Sequence, residues 1–436
     1  MTERHFDVVI IGARCAGAAL ATCLARAGAH VLMVDHSPMP SDQVLSTHNI
    51  HPPGMDILDD IGVGDAVRAE APATRVLRIR KNEAWMDVPF GEGRAGYCPR
   101  RKRLDGLLQD AAIRAGAELR DRTRATGILF EQGRAAGVTV EHRGVSENIT
   151  TGLVVGADGR HSFVARTVAA DEYLAYDAPR GICWAYWDAP SAWRDCPFGM
   201  YVAHIGDAIR FVFQTDHNQL VIGSLPGLPI DGTWRTDMTA ALRNDLSRDP
   251  VIGPLLHDRA PDSRTRATFR ERYFFRRAAG PGWVLVGDAG HHKDFVIGDG
   301  ITEALIQAKS LAQAIAECSD AALVRWWRAR DVAALPAFHW GRDEGAAGAP
   351  SQLETRVIAR LARHARLRSR IAQLPEHRSS PYDVVPMTAV LATVAGALLR
   401  GQFIAVPDLV TQVFRMLRYR KSLRQRMRLL RNISTA

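Results

Sequence analysis

FDVVIIGARCAG, at residues 6–17, is an apolar run that breaks at a glycine turn and continues into small side chains. Continuous apolar residues are the mark of a strand buried on both faces, and the small residues 16–27 behind them suit a helix packed closely on that strand. HVLMVD at 30–35 repeats the strand pattern and ends on Asp35, 18 positions beyond Gly17. Together they form a βαβ unit of about 30 residues, the layout that seats a dinucleotide pyrophosphate on a helix N-terminus. Gly12 and Gly17 provide the tight turn and the close helix–strand packing. The middle glycine of GxGxxG is replaced by Arg14. Taken alone, the stretch therefore fits both a nucleotide site, with the arginine swung aside to add positive charge near the phosphates, and a plain strand–turn–helix. Asp35 stands where a carboxylate accepts hydrogen bonds from a ribose 2′-OH, and it would repel a 2′-phosphate, which excludes NADP from this site.

Two later runs end the same way: LVVGADG at 153–159 and WVLVGDAG at 283–290. Three such turns in one chain predict a single nucleotide site assembled from distant segments. The texture between them supports this. Residues 1–75, 100–170 and 280–330 alternate apolar runs with helical periodicity, whereas 76–99 and 171–279 hold short alternating, aromatic-rich strands such as AIRFVFQ. From 331 to 436 everything readable is helical. The layout predicts an α/β fold in which a discontinuous nucleotide-binding domain carries an inserted mixed β-sheet domain, with a ligand cleft between the two and a C-terminal helical region behind.

Composition sets limits on function. The 436 residues carry six scattered cysteines and no CxxC pair, so clustered thiolates for zinc or iron–sulfur are absent and no metal is expected. The net charge of +9 is uneven: residues 351–436 hold 16 Lys/Arg against four Asp/Glu, which leaves the rest slightly negative. A basic tail on a near-neutral body is not a nucleic-acid groove. No run reaches the roughly 20 apolar residues of a membrane span, and the opening residues lack a signal-peptide layout, so a cytoplasmic protein is expected.

With all three turns in view, the sequence resembles the class A FAD-dependent monooxygenases of the p-hydroxybenzoate hydroxylase type. The matching segments are the N-terminal turn, GADGRHSFVAR (156–166), VLVGDAGHH (284–292) and PRRKRLDGLLQDAA (99–112). The resemblance implies a Rossmann-like FAD-binding domain and assigns FAD contacts to Gly12, Arg14, Cys15, Ala16, Gly17, Asp35, Arg101, Asp158, Asp288 and Gly300, with Arg103 as the alternative arginine. It also implies NADH or NADPH as reductant, and O2 activated as a flavin C4a-hydroperoxide that hydroxylates or epoxidises a small hydrophobic or aromatic metabolite of secondary metabolism. GARCAG, LSTHNIHPPG (45–54) and GDAGHHKD (287–294) lean toward a geranylgeranyl-reductase-like and halogenase-like branch. An FAD-dependent reductase of prenyl or alkene double bonds is therefore the first alternative, followed by a halogenase and then a non-catalytic flavin binder. RGICWAYWDAP (180–190) does not match the WxWxIP element of halogenases. HHKDFVIGDG (291–300) replaces the proline-containing loop of the hydroxylases, yet Gly298 and Gly300 remain to expose backbone N–H groups to the flavin.

The remaining candidates line a pocket or pack a core. His48 and His51 lie in the loop after the second strand, where the family fold runs beside the flavin; His48 is a candidate proton shuttle. His292, next to His291, is a candidate for the pocket, as are Trp187, Phe211 and Phe213, with Trp184 and Tyr186 in the same aromatic set. Alternation places Phe211 and Phe213 on one face and Arg210, Val212 and Gln214 on the other. In the tail, helices at 353–370 and 410–430 mix arginines with apolar residues, which fits a helix packed on the body with a solvated basic face, peripheral contact with a membrane surface, or an acidic partner. The apolar segment 387–399 is too short to span a bilayer.

Overall fold

The computed structural model describes residues 5–41, 46–194, 196–256, 259–401 and 405–434. Its first layer is built by β1 (His5–Ile11), α1 (Cys15–Arg26), β2 (Val31–Val34), α2 (Arg101–Arg114), β3 (Glu118–Arg120), β4 (Val145–Gly156), β5 (Trp283–Leu285) and α3 (Gly300–Ile315). The strands lie parallel in the order β5–β4–β1–β2–β3. The registers Val8↔Val31, Val8↔Leu153 and Trp283↔Val154 bring the C-terminal ends of β1, β4 and β5 to one edge. Val9, Ile10, Val31–Val34, Val154 and Val155 are fully buried, which explains the unbroken apolar runs: neither face of these strands meets water. Each such side chain contributes about 1.5–3 kcal/mol of burial. An antiparallel ribbon, Thr123–Glu131 with Arg134–His142, extends the sheet from β4.

The second layer is a seven-stranded sheet. Val76–Lys81 and Ala84–Pro89 pair beside Met200–Ile205, followed by Ala208–Gln214, Gln219–Pro226, Ile182–Asp188 and Arg266–Thr268. One face packs against Met238–Ser247 through Leu242 and Leu246, and the other turns toward the nucleotide layer. The inserted segment 171–279 does not form one sheet. Arg272–Arg276 instead lies between Glu172–Asp177 and His291–His292, pairing with both, in a third, three-stranded sheet that packs on Phe338 of the long helix Asp320–Glu344. The histidines after the third glycine turn recruit these strands, a long-range pairing with no local signal.

The remaining helices wrap this frame. Gln352–Arg363 starts at a reciprocal Ser351/Glu354 capping box and packs Ile358 and Leu361 on Met86 and Val88. It ends at His364, where the backbone turns extended before Ala365–Ile371, so the single helix expected over 353–370 is two. Met387–Leu398 and Ala405–Ser434 follow. Among the described residues, no helix is long and apolar enough to cross a membrane.

Candidate active site

The three glycine turns meet. Gly12 has φ +105°, and a Cβ there would stand 2.4 Å from the Ala157 carbonyl oxygen, at the end of β4. A Cβ on Gly17 would sit 1.9 Å from the Gly12 oxygen and 3.2 Å from the Ala157 Cβ. At Gly287, φ +62°, a Cβ would stand 3.0 Å from the Cβ of Ala16. Backbones this close exclude side chains, so Gly17 is required by contact, and Gly12 and Gly287 by conformation as well.

Helix α1 begins at this junction with no side-chain cap on its first turn, leaving backbone N–H groups and the positive helix end for an anion. The Arg14 side chain turns aside and donates to Ser41 Oγ at 2.9 Å, which clears the place of the missing glycine. Asp35 is buried, and its two oxygens accept from the Ala13 and Ser37 N–H groups at 3.0 and 2.9 Å, with a second lone pair left on each. The space beyond Gly300 Cα, at the start of α3, and beyond Gly159 is open.

Helix α2 supports the turn from below with one polar line at positions 101, 105 and 109. Arg101 donates to both oxygens of the fully buried Asp105 at 2.9 and 3.1 Å; Asp105 also accepts from the Cys15 thiol at 3.2 Å; and Gln109 donates to the Ala13 carbonyl at 2.7 Å. Burial pushes the Cys15 thiol well above its ordinary pKa, so it is a neutral donor. Arg103, the alternative arginine, points outward to Glu70. Asp105 and Gln109 went unnoticed in the sequence, although their four-residue spacing from Arg101 against the apolar Leu104 and Leu108 is a readable signal.

Asp158 of the second turn folds back on its own segment: Oδ2 accepts from the N–H groups of Phe163 and Val164 at 2.6 and 3.2 Å, capping the short helix Phe163–Thr167. Its Oδ1 is buried without a partner in the structure, and burial raises its pKa. Asp288 of the third turn keeps about 45% of its side chain exposed, with His292 Nδ1 at 3.4 Å. His292 Nε2 lies 3.7 Å from Glu271, with which Arg160 forms an ion pair at 3.0 Å. Burial alone would discharge His292, but the two carboxylates outweigh it and hold its pKa at about 9. His291 points the other way, stacked 4.4 Å from Phe275, and burial depresses it to about 3.

Below Gly298 the layers enclose a cavity of about 890 Å³, counting the part open to solvent. Ile182, Met200, Val202, Phe211 and Phe213 form its apolar sheet wall; Asn49, His51 and residues 295–298 face them. Its charged groups collect near Trp340, where Lys81 pairs with Glu344 at 2.8 Å. A second cavity of about 960 Å³ shares His51, Leu77, Ile79, Ile297 and Trp340 with the first and continues under the C-terminal helices to Ile371, Leu374 and Pro381. The loop under both is pinned: Asn49 donates to the Gly298 carbonyl at 3.1 Å, and the His51 N–H to Thr302 at 2.9 Å. Lys293 lies 2.8 Å from Asp299 and 3.3 Å from Glu303, and its ammonium neutralises the acidic group that these two make with His377.

Of the pocket candidates, Phe211 and Phe213 reach the cavity wall. His48 sits behind it, 2.5 Å from the Tyr186 hydroxyl and edge-on to Trp184, and burial with nearby Arg101 and Arg100 holds it neutral. Trp187 does not reach the cavity. It packs on the opposite face of the sheet with Trp193, Tyr201 and Leu220. The pairing decides this: Gly223 is opposite both Trp184 and Phe211, placing those two on one face, whereas Trp187 pairs with Leu220.

The uncapped helix end, the glycine junction and the open space before α3 fit an adenine dinucleotide, which the first turn of α1, Asp35, Arg101, Asp288 and the start of α3 could hold. Comparison with known proteins agrees. A model of the FAD binding domain matches residues 5–322, and the chain belongs to that family. It is an FAD-dependent oxidoreductase. Its sequence is 24% identical to a digeranylgeranylglycerophospholipid reductase of Methanocella arvoryzae, over 72% of this chain and 79% of the relative. Its fold is shared with a flavoprotein/dehydrogenase from Cytophaga hutchinsonii (TM-score 0.74, 17% identity, 92% of this chain and all of the other). It is shared likewise with p-nitrophenol 4-monooxygenase from Pseudomonas putida (TM-score 0.70, 15% identity, 87% and 99%).

Proposed function

We propose that this oxidoreductase is a monooxygenase that uses NADH or NADPH and O2 to hydroxylate or epoxidise a hydrophobic or aromatic metabolite in the cavity under Gly298. The observation that carries this reading is the apolar wall of Ile182, Met200, Val202, Phe211 and Phe213. Such a wall holds substrate by shape and keeps water away, and it offers no acid or base to the reacting centre. Bound FAD supplies the electron transfer and oxygen chemistry. The chain contributes the rest. Asn49 and Thr302 fix the loop between flavin and substrate. Neutral His51, its pKa lowered to about 4 by burial, adds a polar contact without a charge.

The second reading is reduction of a prenyl or alkene double bond. Two cavities sharing a wall suit an elongated apolar chain, and the name of the Methanocella relative points the same way. Flavin-loaded protein given NAD(P)H with aromatic and prenyl substrates separates the two. Substrate-stimulated O2 uptake with an oxygenated product supports the monooxygenase. Anaerobic turnover to a saturated product assigns the reductase, and a halide requirement the halogenase.

A further inference from the structure

The last helix, Ala405–Ser434, turns an ordered apolar line outward. Val406, Val410, Phe414 and Leu417 are 43, 48, 67 and 53% exposed. Steps of four, four and three residues put them along one face over about 16 Å. The same line continues through Lys421, Arg424, Arg428 and Arg431, all exposed, so one helix face is apolar in its first half and cationic in its second. The opposite face is locked to the body. Arg415 bonds Glu354 at 2.9 Å, Tyr419 stacks on Tyr382 at 4.2 Å, and the Arg426 guanidinium lies 4.1 Å over Tyr173. These contacts fix the roll of the helix, so the apolar line is its outward face in the folded protein. The helix packed beside it also leaves Leu391 and Leu399 exposed, at 50 and 89%.

We propose that this helix seats the protein on an anionic lipid surface, with Val406, Val410, Phe414 and Leu417 entering the acyl boundary and Lys421, Arg424 and Arg428 meeting the headgroups. A lipid surface answers both halves of the face: apolar side chains insert at the interface and basic ones are drawn to anionic lipids. A second copy of this chain matches poorly, because the region 351–436 carries 16 Lys/Arg against four Asp/Glu and would repel its like. An acidic protein would match the basic half and leave the apolar half in water. The inference is independent of the reaction proposed above.

Full-length, flavin-loaded protein is floated with vesicles of phosphatidylcholine, alone or with equimolar phosphatidylglycerol, at low salt. The expected result is affinity at least about tenfold higher for the anionic vesicles. A Phe414→Asp/Leu417→Asp variant and a Lys421→Glu/Arg424→Glu/Arg428→Glu variant should each lose at least tenfold, with flavin absorbance and thermal midpoint unchanged. Equal weak binding to both vesicles overturns the proposal, as does binding that neither variant weakens. It is also overturned if vesicle binding is absent and light scattering shows a dimer that both variants dissociate, or if polyglutamate is bound as tightly as the vesicles and Phe414→Asp/Leu417→Asp leaves that unchanged.

Discussion

His292 and Asp288 face each other at 3.4 Å, and through Glu271 and Arg160 this pair ties the third glycine turn to the second. Because the folded pKa of His292, about 9, lies above the ordinary 6.5, its stabilisation is complete below pH 6.5 and disappears as pH rises through 9. The shift corresponds to about 3 kcal/mol at most. His292→Gln should therefore melt well below the wild type at pH 6, and the two melting curves should converge above pH 9. A gap constant from pH 6 to 10 would show that the imidazolium contributes nothing.

Gly17 and Gly300 are predicted to behave oppositely. Gly17→Ala drives a methyl into the Gly12 carbonyl and should cost about 1–3 kcal/mol or more, with loss of bound flavin. Gly300→Ala meets open space in a helical first turn, so thermal stability should hold or rise by up to about 1 kcal/mol. Flavin affinity should nonetheless fall about tenfold (1.4 kcal/mol), because the methyl enters the flavin's approach. Flavin titration of the refolded apoprotein reads both; full affinity in Gly300→Ala would move the flavin away from α3.

Asp105→Asn should expose the chemistry of Cys15. Burial is the main cause of the raised thiol pKa; Arg101 lowers it and Asp105 raises it, so removing the carboxylate leaves the arginine opposed by burial and lets the thiol pKa fall. Thiol labelling at pH 8 should become faster at Cys15, and the unpaired buried Arg101 should cost about 3–5 kcal/mol of stability. An unchanged labelling rate in a folded variant contradicts this.

Trp340 stands in the wall between the two cavities. Trp340→Ala should merge them and shift substrate preference toward longer apolar chains, lowering KM for these with flavin content unchanged. Phe213→Trp, which narrows the first cavity alone, should raise KM for every substrate. Steady-state kinetics on a chain-length series tests both, and identical chain-length profiles would refute the joined path.

How much of this was legible in advance varies with the range of the cause. The nucleotide layer was readable because a strand covered on both faces has to be apolar throughout, and the glycine turns announce themselves locally. Arg101 was readable from the family motif, while Asp105 and Gln109 needed the helix face to be drawn. The third sheet was not readable: Phe274 and Phe275 meet His292 and His291, 18 and 16 positions further on, a pairing that alternation within either strand does not specify.

The chain's own order of residues determined that Gly12 and Gly287 would be turns, since glycine takes their positive φ without strain, and that Gly17 would let the helix close on the strand, since a Cβ there has no room. With the flanking motif segments at 99–112, 156–166 and 284–292, these glycines carry the family resemblance from which the flavin class followed. Tertiary structure decided what each neighbouring side chain does. Asp158 caps a helix, His292 is charged while His291 is not, and Trp184 rather than Trp187 shares the cavity face with Phe211. Burial, charge and strand register are properties of partners distant in the chain, and a one-residue change of register would have sent each of those aromatic rings to the other side.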